Sequence, residues 1–236
     1  MTARRQRRAR EAVVSTEFVP AKRAYAPISV LTPEQEEEAH KRSLQLLETV
    51  GLKFLSPETW PILEAAGCRV DRETGQTRMP GDVVEHFLAL APGQFTLKAR
   101  NPANDLFCGG NQIHYGSASS APNVLDRENG RRPGTQADFE SLVKLNQMLP
   151  TCGFHSGHPV EPIDTPANTR HLTSSRVWQT ASDKVTRIYA IGRTRARDSI
   201  EMMRIAHGLS DAEMRAAPRL HASINVNSPL VVDEPL

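Results

Sequence analysis

Apolar positions at helical spacing open the ordered part of the chain. Leu44, Leu47 and Val50 form one stripe, and Thr32-Pro33-Glu34-Gln35 ahead of them supplies an N-cap threonine, a first-turn proline, an acid beside the positive helix end and the glutamine of a capping box. Gly51 provides the stop. Ser56-Pro57-Glu58 predicts a second helix, with Ile62, Leu63 and Ala66 inward and Gly67 at its end. A short extended piece through Val70 then leads to Met79-Pro80-Gly81-Asp82. From there Val83, Val84, Phe87, Leu88 and Leu90 mark a third helix that ends before Pro92.

Between Phe95 and Thr135 the period shortens. Phe95-Thr96-Leu97 alternates, Gly109-Gly110 and Glu128-Asn129-Gly130 are turn signals, and Ile113, Tyr115, Val124 and Leu125 populate the runs between them, which predicts a small antiparallel β excursion. Helix and strand alternate beyond Thr135: helices over 136–148, 168–181 and 194–207, and strands over 151–158, 184–192 and 219–227. The strand starts are about 35 residues apart, the repeat of βα units in a parallel sheet.

An open doubly wound sheet and a closed (β/α)8 barrel both use such units. No strand is followed by a G-x-G-x-x-G loop opening a helix, which argues against a dinucleotide fold. A barrel needs eight strands, and residues 151–236 supply roughly three. The expectation is an α/β chain holding a partial (β/α)8 TIM barrel, preceded by a mainly helical section with the β excursion. Its divisions are a basic arm over 1–30, the helical and β section over 31–135, and the first part of a truncated barrel over 136–236.

Composition narrows the function classes. The 236 residues are 39% hydrophobic with a net charge of +2, so no global field favours nucleic acid or an anionic membrane. The run Arg4, Arg5, Arg7, Arg8 and Arg10 lacks the apolar segment of a signal peptide and the interleaved aromatics of a nucleic-acid site. No stretch has the length of a membrane span, and Cys68, Cys108 and Cys152 are odd in number and widely spaced. A cytoplasmic protein with reduced thiols is expected.

In parallel α/β architectures ligands lie at the carboxyl ends of the strands. The first predicted strand ends in His155-Ser156-Gly157-His158-Pro159-Val160-Glu161, two imidazoles and a carboxylate that could position a substrate or shuttle a proton. The same three side chains could serve a metal-dependent enzyme, although their spacing is loose for a metal site, and no metal is expected. Tyr189 ends the second strand and offers a ring face to a cation, or simply packs. The third ends in Asn225-Val226-Asn227-Ser228. Alternation puts Asn225 and Asn227 on one side, and two amides with a hydroxyl suit a pocket better than a core. The charged segment from Asp126 to Arg132 suits a solvated hairpin turn.

These pieces, taken in order, carry a resemblance. Leu31-Thr32-Pro33-Glu34, Leu47-Glu48-Thr49-Val50-Gly51, Leu63-Glu64-Ala65-Ala66-Gly67, Met79-Pro80 with Val83-Val84, and Ala91-Pro92 with Phe95 come first. Val124-Leu125-Asp126, Arg132-Pro133-Gly134-Thr135 with Asp138, His158-Pro159-Val160 and Asn225-Val226-Asn227-Ser228-Pro229-Leu230 follow. Over residues 31–230 the chain resembles the N-terminal half of trimethylamine methyltransferase-like proteins. The resemblance implies a (β/α)8 barrel that takes a methyl group from a methylated amine, trimethylamine or a quaternary amine such as glycine betaine, and passes it to the cobalt of a separate corrinoid protein. It implies that cobalamin is carried by that partner and is not bound by this chain, and that catalytic residues lie beyond Leu236. His155, His158, Glu161, Tyr189, Asn225, Asn227 and Ser228 are then expected to bind substrate. A homo-oligomer is compatible with this reading, and neither nucleic acid nor membrane is an expected partner. The alternative is a non-catalytic binding or assembly module, or an inactive fragment.

Overall fold

The structure is a computed structural model that describes residues 18–233. The arginine run at 4–10 lies outside the described residues. Helix α1, Pro33–Thr49, starts as its sequence predicts: the Thr32 hydroxyl accepts from the Gln35 amide at 3.3 Å, and the Gln35 side chain accepts from the Thr32 amide at 3.0 Å. Gly51 adopts φ +78° with the Thr77 carbonyl packed against it, so the chain turns into the strand Leu52–Phe54 where a side chain would collide. The second helix is shorter than expected. A 3-10 turn at Pro57–Thr59 gives way to α2, Trp60–Ala65, and Gly67 at φ +100° ends the segment. Helix α3 covers Gly81–Ala89.

The front section also carries a sheet, in the order Val231–Val232, Leu52–Phe54, Gln76–Arg78, Arg69–Val70. Its first pairing is parallel and joins the end of the described chain to the front section. Strands this short are too brief to show a period of two. Part of the expected arm is also structured: Phe18 is buried, and Ala21–Lys22 pairs antiparallel with Gln112–Ile113.

The β excursion is antiparallel in two places, Phe95–Leu97 against Leu106–Cys108 and the hairpin Asn123–Asp126 with Gly130–Pro133. Tyr115–Gly116 departs from that pattern and pairs parallel with Cys152–Phe154. A parallel bridge from Phe154 to Val185 continues the row to Thr186–Arg187, which pairs parallel with Leu220–His221. Four parallel strands thus stand side by side. The hairpin and α4 (Gln136–Met148) link the first to the second, α5 (Arg170–Ala181) the second to the third, and α6 (Arg193–His207) with α7 (Asp211–Ala216) the third to the fourth. Helix α7 is additional to the expected elements, although Ser210 and Glu213 form its capping box.

Among the described residues the row does not close into a barrel. The strands are also shorter than the apolar runs that announce them. The run expected over 219–227 pairs only at Leu220–His221, because the chain then leaves the row for the front sheet. Two apolar clusters hold the layers together. Phe18, Leu97, Ala99, Leu106 and Val185 form one; Phe139, Val143, Val160, Val177 and Trp178 form the other, between the row and α4 and α5.

Helix α4 is fixed at its start by a charged clamp. Arg132 donates to both oxygens of Asp138, at 2.6 and 2.8 Å, while the Thr135 amide and hydroxyl donate to the same carboxylate at 2.9 and 2.6 Å. The Arg132 hydrogen bonds hold Asp138 well below the usual carboxylate range, with the Thr135 bonds adding and burial opposing. Asp138→Asn is expected to lower the unfolding free energy by about 2 kcal/mol in urea melts. Because the folded pKa is depressed, the clamp acts fully above the ordinary aspartate pKa, and its contribution is lost as the pH falls below that value. The D138N variant should lack that part of the acid dependence.

Candidate functional site

The carboxyl ends of three neighbouring parallel strands meet around one recess. Ser119 and Ser120 follow the strand Tyr115–Gly116; Gly157, His158 and Glu161 follow Cys152–Phe154; Arg187, Ile188 and Tyr189 end or follow Thr186–Arg187. Trp178 of α5 completes the wall, and the enclosed volume is about 100 Å3.

His158 is the centre of this wall. It is 4% exposed and stands edge-on to Phe139, with ring centroids 5.2 Å apart and planes at 86°. Trp178 and Tyr189 each lie 5.3 Å from it. Its Nδ1 is 3.1 Å from both oxygens of Glu161. A carboxylate only accepts, so Nδ1 carries the hydrogen. Nε2 is buried and has no partner among the described residues. Glu161 is held below its ordinary pKa chiefly by the His158 hydrogen bond, with the charges of His158 and Arg170 adding and burial opposing. Gly134 makes room for this turn, because a side chain there would collide with the Val160 side chain and the Glu161 carbonyl.

Arg187 and the Ser119 and Ser120 hydroxyls add a cationic and hydroxylic part to the lining. Arg187 donates from Nη1 to the Ser156 carbonyl at 2.8 Å. A side chain at Gly157 would meet both the Ser119 hydroxyl and Arg187 Nη1, so these two groups converge on one place. Behind the recess, the Arg195 guanidinium lies 5.5 Å from the centre of the Tyr189 ring, and His171 of α5 is bonded to Asp198 at 2.8 Å. The arrangement offers aromatic faces and a carboxylate to a compact cation, and a guanidinium with hydroxyls to an anion a short distance away.

The expected site residues divide into three groups. His158, Glu161 and Tyr189 come together at the recess. His155 lies in the layer beneath: it is fully buried, its Nε2 is 2.8 Å from the Ser182 hydroxyl, and burial, with Lys184 and His221 adding, pushes its pKa down to about 3. Its ring is thus neutral and does not join His158 and Glu161, and among the described residues no group of three His, Cys, Asp or Glu side chains could hold a metal ion. Asn225, Asn227 and Ser228 are exposed and do not line the recess; Asn227 bonds to Asp233 at 2.8 Å and its backbone to Val231.

Ser119, Ser120, Trp178 and Arg187 line the recess although nothing in the sequence singles them out. The two serines become legible only once Tyr115–Gly116 is known to be a parallel strand, since its carboxyl end is what places them. Arg187 lies inside an expected strand, a position that reads as core or surface until the strand's neighbours are fixed.

Residues 1–236 match the model of the family described as trimethylamine methyltransferase. The chain is 31% identical over 206 residues to the glycine betaine methyltransferase of Desulfitobacterium hafniense strain Y51, an alignment covering 87% of this chain and 42% of that protein. It is 26% identical over 194 residues to the trimethylamine methyltransferase MttB of Desulfitobacterium hafniense strain DSM 10664 / DCB-2, covering 82% and 39%. With the trimethylamine methyltransferase MttB of Methanosarcina thermophila it shares 26% identity over 123 residues, covering 50% and 25%. The chain therefore spans less than half the length of these curated relatives. It belongs to the trimethylamine methyltransferase family.

Proposed function

We propose that this chain forms the substrate-binding part of a methyltransferase that moves a methyl group from a quaternary amine to a corrinoid protein, within a (β/α)8 barrel of which it supplies the first strands. The observation that carries this reading is the recess at the carboxyl ends of three adjacent parallel strands, walled by His158, Trp178 and Tyr189 and closed by Glu161. A quaternary ammonium has a compact positive charge and no N–H to donate, so ring faces and a carboxylate are the groups that hold it. Excluding water there keeps the cation's attraction to Glu161 strong and leaves the methyl carbon open to in-line attack.

When present, the corrinoid cobalt carried by the partner would supply the nucleophile that takes the methyl group as its bond to nitrogen breaks, the demethylated amine being the leaving group. A recess of about 100 Å3 has no space for a corrin ring, which suits delivery of that group to the mouth by another protein. The chain's own residues act on the amine. Glu161 and the ring wall hold the ammonium, and His158 Nδ1–H fixes the carboxylate.

Between the two substrate types, Arg187 and Ser119 favour an amine that also bears a carboxylate, such as glycine betaine. Trimethylamine has nothing to offer a guanidinium. Arg187→Gln is expected to lower kcat/KM for glycine betaine about tenfold and to leave trimethylamine turnover, if present, unchanged. The decisive assay incubates the full-length protein with its corrinoid protein and a panel of methylated amines, following cobalt methylation by absorbance. Transfer from none of them sinks the proposal. A monodisperse protein that binds no methylated amine would instead support a non-catalytic module.

A further inference from the structure

At the amino end of the Leu220–His221 strand, away from the recess, α6 and α7 enclose a cleft of about 640 Å3. Four guanidinium groups line it, those of Arg197, Arg204, Arg215 and Arg219. Both carboxylates of the lining are taken by one of them: Glu201 and Asp211 lie 2.6 and 3.5 Å from Arg204. Glu213 accepts from the amide and hydroxyl of Ser210 at the start of α7, and its charge is also felt by Arg219. Among the described residues, Arg197, Arg215 and Arg219 are left without an ion pair.

Arg219 is the most constrained of the three. Its Nε is buried and has no acceptor among the described residues. Positive charge is also crowded nearby: His207 is pushed toward its neutral form by burial first, and then by Arg100 and Arg219. An anion seated between Arg219, Arg215 and Arg197 would offset this crowding of positive charge. The rest of the lining is apolar, with Ile200, Met214 and Leu220 along it, and the volume falls in the range of small-molecule sites.

We propose that this cleft binds a phosphate-bearing small molecule, its phosphate held by Arg219, Arg215 and Arg197 and its apolar body laid on Ile200, Met214 and Leu220. Guanidinium groups hold phosphate oxygens through paired charge-assisted N–H donors, and three of them around one site suit the higher, more compact charge of a phosphate. The site shares no residue with the recess, so it stands apart from methyl transfer.

The test is calorimetric titration of the full-length protein with inorganic pyrophosphate at constant ionic strength. Saturable binding is expected, weakened about tenfold or more in Arg219→Gln and in Arg215→Gln, and unchanged in Arg131→Gln on the exposed hairpin. Arg215 is exposed in the last turn of α7, so its replacement does not threaten folding. Absence of saturable binding, citrate bound as tightly as pyrophosphate, or wild-type affinity in the R215Q variant would each overturn the assignment.

Discussion

Replacing Glu161 with glutamine is expected to lower kcat/KM for methyl transfer from a quaternary amine by about 10- to 100-fold, without a comparable loss of stability. Among the described residues Glu161 is the one carboxylate lining the recess, and the hydrogen bond from His158 favours its ionised form. Glutamine keeps the shape and can still accept from Nδ1, so the variant removes the charge and, with it, the ion pair to Arg170 at 3.7 Å. The cation loses its counter-charge in both the bound and the transition state, and the effect should therefore fall mainly on KM. Because the folded pKa lies below the ordinary glutamate value, Glu161 is ionised at neutral pH, and any loss of activity from its protonation should fall on the acid side of that value. Steady-state kinetics of wild type and variant from about pH 5 to 8, with thermal melts as the stability control, provide the measurement. An unchanged KM in the E161Q variant would remove Glu161 from the site.

The parts of this molecule that are legible in the sequence are those specified over a few residues. Thr32 with Gln35 and Thr135 with Asp138 state where α1 and α4 begin, because a capping box is closed by groups three residues apart. His158 and Glu161 can be found for the same reason: both follow one strand, and their mutual hydrogen bond is a local event. Pairing across distance is not legible. Tyr115–Gly116 looks like one more piece of the β excursion, and only its parallel partner Cys152–Phe154 shows that it belongs to the row. With that strand unrecognised, Ser119 and Ser120 carry no signal. Asn225, Asn227 and Ser228 show the converse. Their alternation suits a strand end, but the chain departs after His221 to pair Val231–Val232 with Leu52–Phe54, and that choice is set by a strand nearly 180 residues earlier. His155 and His158 follow the same strand yet differ in depth: one bonds inward to Ser182, the other faces the recess.

Phe139→Ala is expected to be strongly destabilising, costing about 3–5 kcal/mol in chemical denaturation. Phe139 is fully buried in the cluster with Val143, Val160, Val177 and Trp178, where α4 and α5 pack on the row, and the cavity left by its ring could not be filled without moving a helix. The same ring sets the plane of His158, which meets it edge-on at 5.2 Å. Phe139→Leu separates these two roles, since it keeps most of the volume and should cost less than about 1.5 kcal/mol while removing the aromatic edge contact. The F139L protein should therefore remain folded yet bind the amine several-fold more weakly, because His158 would no longer be held square to the ring as it hands Glu161 its hydrogen bond. Equal KM values for the F139L and wild-type proteins would mean that the ring supports the fold alone. A raised KM with a near-normal melting temperature would tie the core of α4 and α5 directly to substrate binding.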